Sequence, residues 1–467
     1  MLVALAVSSA AADTIVLKNG RRIVAASVTE EGDKVVYETP AGSMSLPKSI
    51  VVRVERDDYA YSNVSKEPVE APVTAPQVEP VSGYDDIAAM VVHGDSIDFA
   101  YLARLEAEAK GAGTPESDKV AAAHHAAAQF LISKGDTDSA IDHYRQALVF
   151  APNNVGLLLN LAVLYLHKSQ FTTALDPLER ARRIAPDSPD VAKLMGWAYY
   201  GANKLDLAVK EWTRADRLRP DPEVEHALAK AQRDSAEEES YREGETAHFS
   251  LKYYGGAAPE LAHGILRALE DDFRDLESQL DYTPPDPISV ILYTEEAFAD
   301  ITRAPSWAGA LNDGRIRIPV QGLNGVTPDL ARVLKHELTH SFVGQKSHGR
   351  APTWLQEGIA QYMEGRRSSS TAGALIDAAS QGTGVKLSSL EGSWMDLTGD
   401  SATLAYAWSL AAVESIIQTG GMGDISRLLD HLASSPSTSA ALREALRLDY
   451  PDLEEQTLAF LKHEYVR

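Results

Sequence analysis

A 34-residue repetition in the middle of the chain restricts the fold more than any other feature of the sequence. Proline recurs at this interval at positions 152, 186 and 220, and alanine recurs at the same interval in two series. The two series are Ala140, Ala174 and Ala208, and Ala147, Ala181 and Ala215. A period of this length indicates an array in which each unit is one supersecondary element that cannot bury its apolar face alone. The units must therefore stack on one another.

Each unit is predicted to be a pair of helices. Alanine at the contacts lets two helices pack closely, and Tyr144, Leu178 and Trp212 fill the large apolar position of the successive units. In its small residues at the helix contacts and its proline after the second helix, this segment resembles the tetratricopeptide repeat family. The resemblance implies an α-solenoid with three repeats over about residues 119–220.

The whole helical domain is predicted to span residues 84–240, with helices at about 84–110 and 221–240 covering the two ends of the stack. Such stacks present a concave surface, so the resemblance implies a peptide or protein partner. A rigid spacer is the alternative, since the sequence does not show which side chains of a groove would bind a partner.

A second motif carries the chemistry: the sequence His336-Glu337-Leu338-Thr339-His340 follows the H-E-x-x-H zinc pattern. In a helix the two histidines lie one turn apart on one face, and Glu337 neighbours His340. Helix formation is favoured by a capping Thr327 followed by Pro328. An apolar row of Leu330, Leu334, Leu338 and Phe342 supports it. An amphipathic helix with two surface histidines is the alternative.

Catalytic zinc takes three protein ligands, so a third is expected on another element. Glu357 is the candidate, on a second short helix that Thr353 and Gln356 are predicted to open as a capping box and that ends near Gly365. His348 is the competing ligand, but it comes two residues too late for the metzincin spacing.

This part of the chain resembles the gluzincin metallopeptidases, and more narrowly peptidase MA-like domains with H-E-L-T-H followed by W-L-x-E-G-x-A-x-Y. The resemblance is specific over residues 336–365 and looser over about 246–430, within a domain predicted to span residues 246–467. It implies an α+β, zincin-like fold, with Zn²⁺ held by His336, His340 and Glu357 and with Glu337 as the general base. The G-x-M-E-N strand of gluzincin aminopeptidases is missing from the sequence, so aminopeptidase activity is not implied.

The sequence leaves several candidates for the residue that stabilises the oxyanion formed during peptide hydrolysis. Tyr406, at the head of a later predicted helix, resembles the tyrosine that some gluzincins use. Tyr362 and His348 are rivals, and an ordinary core tyrosine is an equal alternative. Gln361 follows Glu357 by four residues, so it either orients a zinc-bound histidine or faces solvent.

The rest of this domain is predicted from periodicity. Strands are expected at 247–254 and 288–293, with an amphipathic helix between them at 259–280. Residues 315–319 alternate between arginine and isoleucine and end in proline, which predicts an edge strand. The resemblance to zinc peptidases implies that this strand pairs with extended substrate. Four helices are expected after residue 400, over about 402–418, 424–433, 437–448 and 452–464.

The N-terminal part divides into three segments. Residues 1–12 resemble a signal peptide, with an apolar run and three alanines before Asp13, which predicts a periplasmic or secreted protein. The run is short and has no basic segment before it, so a disordered extension of a cytoplasmic protein is the alternative. Residues 13–60 read as a small β domain and 61–83 as a Pro-rich linker. The strands of the β domain are expected at 14–17, 22–28, 34–38, 43–46 and 50–55.

Composition excludes several function classes. The formal net charge of −23 argues against a nucleic-acid partner and against binding to anionic lipid. Cysteine is absent, so imidazole and carboxylate remain as the metal-binding groups. Apolar runs long enough to span a bilayer are also absent, so no integral membrane span is expected.

The sequence thus predicts a multidomain, exported, zinc-dependent endopeptidase whose repeats recruit a protein substrate or partner. A catalytically silent scaffold that keeps the metallopeptidase fold and binds proteins through its repeats is the alternative.

Overall fold

The fold is described from a computed structural model. It describes residues 13–17, 22–25, 27–32, 34–39, 42–48, 51–55, 85–109, 114–255, 259–294, 297–298, 310–312, 314–320, 323–381, 385–392, 394, 399–435 and 437–465. The signal-like segment 1–12 and the linker 61–83 lie outside the described residues. Within the described part of the chain, none of the helices is long and apolar enough to span a bilayer.

The N-terminal region is a small strand region with two antiparallel three-stranded sheets, ordered β2-β1-β6 and β3-β4-β5. The strands are β1 Asp13–Leu17, β2 Arg22–Ala25, β3 Ser27–Glu31, β4 Lys34–Thr39, β5 Gly42–Pro47 and β6 Val51–Glu55. Ile15, Val28, Val35 and Tyr37 form a shared core. The run predicted as one strand at 22–28 is two strands, because the chain passes there from one sheet to the other.

The middle of the chain is a stack of helical hairpins, as the 34-residue period predicts. The helices are α1 Asp85–Val91, α2 Phe99–Ala109, α3 Thr114–Ser133, α4 Thr137–Phe150, α5 Val155–His167, α6 Phe171–Ile184, α7 Pro189–Gly201, α8 Leu205–Leu218 and α9 Pro222–Glu238. A two-stranded hairpin, β7 Val92–His93 and β8 Ser96–Ile97, lies between α1 and α2. All six alanines of the two repeat series are buried, as are Tyr144, Leu178 and Trp212.

The Trp212 position shows why the repeat needs small neighbours. Its indole N–H donates to the Lys193 carbonyl at 3.1 Å. A Cβ on Gly196 would overlap the indole ring, so glycine on α7 makes room for the large residue on α8.

The C-terminal region contains a five-stranded sheet in the order β12-β13-β11-β10-β9. Its strands are β9 Arg242–Glu245, β10 Phe249–Tyr253, β11 Ile288–Tyr293, β12 Leu311–Asn312 and β13 Ile316–Pro319. The pairs β10–β11 and β11–β13 are parallel, and the two outer pairs are antiparallel. The sheet therefore begins at residue 242, ahead of the predicted start of the domain at 246.

Helices make up most of the rest of the described C-terminal region. They are α10 Pro259–Leu280, α11 Pro328–Lys346, α12 Thr353–Met363, α13 Ala372–Ser380, α14 Gly399–Gly420, α15 Met422–Ser434, α16 Thr438–Leu446 and α17 Tyr450–Tyr465. The predicted helix at 259–280 and strand at 288–293 are confirmed at both ends. The four predicted C-terminal helices are also present.

The strand predicted to form an edge is an inner strand. β13 lies between β12 and β11, and β12 is the outer strand on that side. Ile316 and Ile318 point into the core of the C-terminal region, whereas Arg315 and Arg317 are buried on the opposite face against the repeats. An alternating pattern reports that a strand has one polar face, and here that face meets buried carboxylates instead of water or substrate.

The turns within the helical hairpins dock the stack onto the C-terminal region. Gly135, Ser169 and Asn203 are spaced 34 residues apart, and all three have positive φ, at 81°, 55° and 57°. A Cβ on Gly135 would overlap the Ser434 backbone, so the first turn needs glycine. Beside the second turn, Thr172 at the start of α6 contacts Asp286. At the third turn, the Asn203 amide donates to the Ser250 hydroxyl at 3.3 Å.

Candidate metal and catalytic site

Helix α11 carries the H-E-x-x-H motif. The Thr327 hydroxyl accepts from the Leu330 amide at 3.1 Å and Pro328 occupies the first turn, as predicted. The predicted apolar row of α11 is completely buried. The face that carries His336 and His340 keeps 19% and 15% of those side chains exposed, so both imidazoles can be reached from solvent.

Helix α12 carries Glu357, but it starts differently from the prediction. Pro352 is the N-cap and no side chain caps the helix. Gln356 instead donates its amide to the Ala351 carbonyl at 2.8 Å, so the capping box is wrong. The helix ends before Gly365, whose φ of +95° stops it as predicted.

Helix α12 also packs very closely on α14. A Cβ on Gly358 would overlap the Ser409 carbonyl oxygen and would lie 2.7 Å from Val413 Cγ2. The glycine that follows Glu357 therefore sets how near the two backbones come, and with it where the Glu357 carboxylate is held.

The two helices bring three predicted ligands together. His336 Nε2 and His340 Nε2 are 3.2 Å apart. Glu357 lies 3.5 Å from the first nitrogen and 3.7 Å from the second. Donors on a tetrahedral ion with bonds of about 2.0–2.1 Å would be about 3.3 Å apart. Among the described residues, these three form the group able to hold a metal ion.

The Glu357 carboxylate fits a cation for a second reason. Its Oε2 atom is buried and has no hydrogen-bond partner among the described residues. A buried carboxylate oxygen needs a compensating charge or donor. The donor set of two imidazoles and one carboxylate is the set that zinc takes in catalytic sites.

Electrostatics at the site favour one positive charge beside Glu357. Burial lowers the pKa of His336, but the Glu357 and Glu364 carboxylates outweigh burial and raise it to about 10. Burial lowers the pKa of His340 to about 4, so its lone pair stays available. Burial alone would raise the pKa of Glu357, but the two imidazoles hold it below its usual range.

Glu337 is buried next to these ligands. Burial raises the pKa of its carboxyl to about 7, with a further contribution from the Glu357 and Glu364 carboxylates and an opposing one from His336. A group with this pKa can both take up and release a proton near neutral pH.

Glu364 is a site residue that the sequence reasoning missed. Its carboxylate lies 3.7 Å from His336 Nδ1, the nitrogen that faces away from the three-donor group, and 2.7 Å from Arg366 Nε. A carboxylate on the second nitrogen orients a metal-binding histidine and raises its basicity. The sequence spacing could have indicated this residue, because Glu364 follows Glu357 by seven residues and so lies on the same helix face.

Tyr406 borders the site. Burial, the Glu357 carboxylate and the Glu337 carboxylate together raise its pKa, so the phenol keeps its proton and can donate it in a hydrogen bond. Its ring stands edge-on to Trp394 at 5.0 Å.

Gln361 neither orients a histidine nor faces solvent, the two roles that the sequence predicted for it. It is buried, and its amide donates to the Tyr406 carbonyl at 3.0 Å and to the Glu357 carbonyl at 3.1 Å. It joins α12 to α14 behind the site instead of contacting a histidine or facing solvent.

Tyr362 and His348, the two alternatives to Tyr406 for stabilising the oxyanion, each have different neighbours. The Tyr362 ring is covered by the Arg367 guanidinium at 4.0 Å. His348 follows the end of α11 with φ of +51°, and burial lowers its pKa, with Lys168 and Asp138 of the repeats as charged neighbours. His348 thus faces the repeats and is not part of the three-donor group.

Comparison with known families finds a match within each of the two predicted segments. The Peptidase MA superfamily matches residues 270–463, which include all of the site described above. The tetratricopeptide repeat matches residues 143–176.

Individual relatives cover little of the chain. "Protein CTR9 homolog" of Arabidopsis thaliana is 32% identical over 94 residues, which is 20% of this chain and 9% of the length of that relative. The solved structure "MamA MSR-1 C2" is 19% identical, covers 29% of this chain and 75% of its own, and has a TM-score of 0.23. The two family matches alone identify a Peptidase MA superfamily domain at residues 270–463 and tetratricopeptide repeat sequence at residues 143–176.

Proposed function

We propose that the C-terminal region is a zinc-dependent endopeptidase of the gluzincin type with a zincin-like α+β fold. The observation that carries this proposal is the spacing of the three donors on α11 and α12, at 3.2, 3.5 and 3.7 Å, with the buried Glu337 beside them. The Peptidase MA superfamily match supports it.

In this proposal His336, His340 and Glu357 hold Zn²⁺, which would acidify a water molecule and polarise the scissile carbonyl. The Glu337 carboxylate accepts a proton from the attacking water and passes it to the leaving amine. The protonated Tyr406 phenol donates a hydrogen bond to the oxyanion. Glu364 holds the His336 ring in orientation.

The repeats are proposed to recruit a protein substrate or partner. A surface cavity of about 320 Å³ between α4, α5 and α6 is lined by apolar residues, including Leu148, Leu161 and Tyr165, and by two cations and one carboxylate, Arg145, Arg180 and Asp176. Val149 in this lining is 69% exposed, although it is a large hydrophobic residue. A surface of this kind suits a peptide with apolar and acidic side chains.

Glu337→Gln tests the enzyme function. Glutamine keeps the volume of glutamate but cannot accept the proton, so cleavage of a peptide library should fall by about 10²–10⁴-fold with zinc content and fold unchanged. Glu455→Gln, an exposed position on α17, is the matched control and should cleave like the wild type. A fully zinc-loaded wild type that cleaves nothing, or a Glu337→Gln variant as fast as wild type, would refute the peptidase mechanism.

The scaffold alternative makes a different prediction in the same experiment. A silent scaffold would cleave nothing in either form and would keep partner binding in both. Export remains part of the proposal on the evidence of residues 1–12 alone. Sequencing the N-terminus of the mature protein tests it, and a first residue at Asp13 is the expected result.

A further inference from the structure

A buried ionic network joins the repeats to the sheet of the C-terminal region. Asp234 on α9 accepts both arms of the Arg317 guanidinium, at 2.8 and 3.0 Å. Arg315 donates to Asp234 at 3.2 Å and to Glu238 at 2.7 Å. All four side chains are at most 2% exposed.

This network fixes β13 relative to α9. Two guanidinium groups face two carboxylates, and the Lys252 ammonium lies 3.5 Å from Glu238 at the edge of the network. The Tyr293 hydroxyl bridges the two sides, accepting from Arg317 at 2.8 Å and donating to Glu238 at 2.9 Å. Moving the strand would leave charges buried without partners, which is strongly unfavourable.

The strand held in this way carries β12. The two strands pair antiparallel, with Leu311 opposite Arg317 and Asn312 opposite Ile316. The Asn312 side chain closes their connection, since its Oδ1 accepts from the Gly314 amide at 3.1 Å. A shift of β13 therefore moves Asn312 with it.

Asn312 in turn contacts the helix that carries the candidate ligands. Its Nδ2 donates to the Glu337 carbonyl at 2.8 Å and to the Ser341 hydroxyl at 2.7 Å. Both amide hydrogens are used. The two acceptors flank the helical turn on which His340 sits.

We propose that Asn312 is a positioning residue of the candidate site, and that the repeats hold it in place through Asp234, Arg315 and Arg317. The repeats then form part of the framework of the site, in addition to any recruitment role. The consequence for catalysis rests on the proposed function, whereas the consequence for the geometry of α11 does not.

Asn312→Asp is the first test, because aspartate has the same shape but lacks both N–H donors. Loss of two hydrogen bonds should speed amide hydrogen exchange at residues 337–341 about tenfold. Zinc affinity, measured by competition with a chromophoric chelator, should fall about 10–100-fold. This is the usual loss when a residue that orients a metal ligand is removed. The visible absorption of the Co²⁺-substituted protein should shift, which a general loss of stability would not cause.

Asp234→Asn tests the link to the repeats in the full-length chain. It should change exchange at 337–341 and zinc affinity in the same direction as Asn312→Asp, and the double variant should show less than the sum of both effects. Asp286→Asn is the matched control, because Asp286 also contacts the repeats, at Thr172, but not through β13. If Asp234→Asn does not fold, Glu238→Gln takes its place, because it weakens the contacts of Glu238 with Arg315, Tyr293 and Lys252 but leaves the Arg317 pair with Asp234 intact.

Unchanged exchange and zinc affinity in Asn312→Asp would overturn the positioning role. Strictly additive effects, or equal effects of Asp234→Asn and Asp286→Asn, would overturn the link through β13. A wild type that binds zinc but cleaves no peptide would refute the proposed peptidase, and the exchange and affinity measurements would still decide the positioning role.

Discussion

Replacing Gly358 by alanine should destabilise the C-terminal region although alanine is the better helix former. The added Cβ would meet the Ser409 carbonyl group, whose carbon is 2.9 Å away, and Val413 Cγ2 at 2.7 Å. A backbone carbonyl cannot rotate away, so α12 and α14 must separate. Overpacking of this kind costs about 1–3 kcal/mol, and the gain in helix propensity of up to about 1 kcal/mol only partly offsets it.

Gly344→Ala on α11 is the matched control, since nothing lies within 4 Å of the Cβ position there. At Gly344 the substitution changes only the intrinsic helix propensity, so this variant should be stabilised by about 0.5–1 kcal/mol.

Thermal unfolding of the full chain measures both changes, at about 2–4 °C per kcal/mol for a domain of this size. Gly358→Ala should also weaken zinc binding, because Glu357 moves with its helix. A Gly358→Ala variant that melts at or above the temperature of Gly344→Ala would refute the reasoning.

Three further outcomes are expected. Glu357→Gln should abolish stoichiometric zinc binding with helix content unchanged, because the site loses its anionic ligand; elemental analysis beside circular dichroism checks this, and full zinc retention would contradict the ligand assignment. Trp212→Ala should cost about 3–5 kcal/mol in urea unfolding, because its ring is fully buried between repeat helices; a loss below about 1 kcal/mol would contradict that packing. Stability should fall as the pH drops below 6.5, because burial lowers the pKa of His124, with Glu106 opposing, so the unfolded chain binds a proton that the folded chain does not. Melting temperatures between pH 7.5 and 5 should show a shallower decline in His124→Asn than in wild type.

Much of the candidate site could be predicted from sequence because its parts are local. His336 and His340 share a helix face whatever surrounds that helix, and Thr327 caps it through contacts three residues away. Glu357 followed from a second short helix bounded by Pro352 and Gly365. The convergence of the two helices was an expectation from the three-ligand rule for catalytic zinc, and in the structure the three donors lie 3.2–3.7 Å apart.

Other parts of the site depended on neighbours that are distant in sequence. Gln361 shares a helix face with Glu357, but only the approach of α14 supplies the Tyr406 carbonyl to which it donates. The capping box failed because Pro352 starts α12 one residue earlier and directs Gln356 to the Ala351 carbonyl. Local spacing tells which residues are adjacent, but not which of several available partners each one bonds.

The sequence by itself determined the periodic features of this protein: a 34-residue repeat that stacks helical hairpins, and a helix with two histidines one turn apart. These features depend on the fixed geometry of a single helix or of identical units in a row. Only the tertiary structure decided what the polar face of β13 meets. An alternating strand reads the same whether its arginines contact solvent, substrate or buried acids, and here Asp234 and Glu238 come from a helix about 80 residues earlier. The identity of such a partner depends on how whole domains pack, which no short-range pattern encodes.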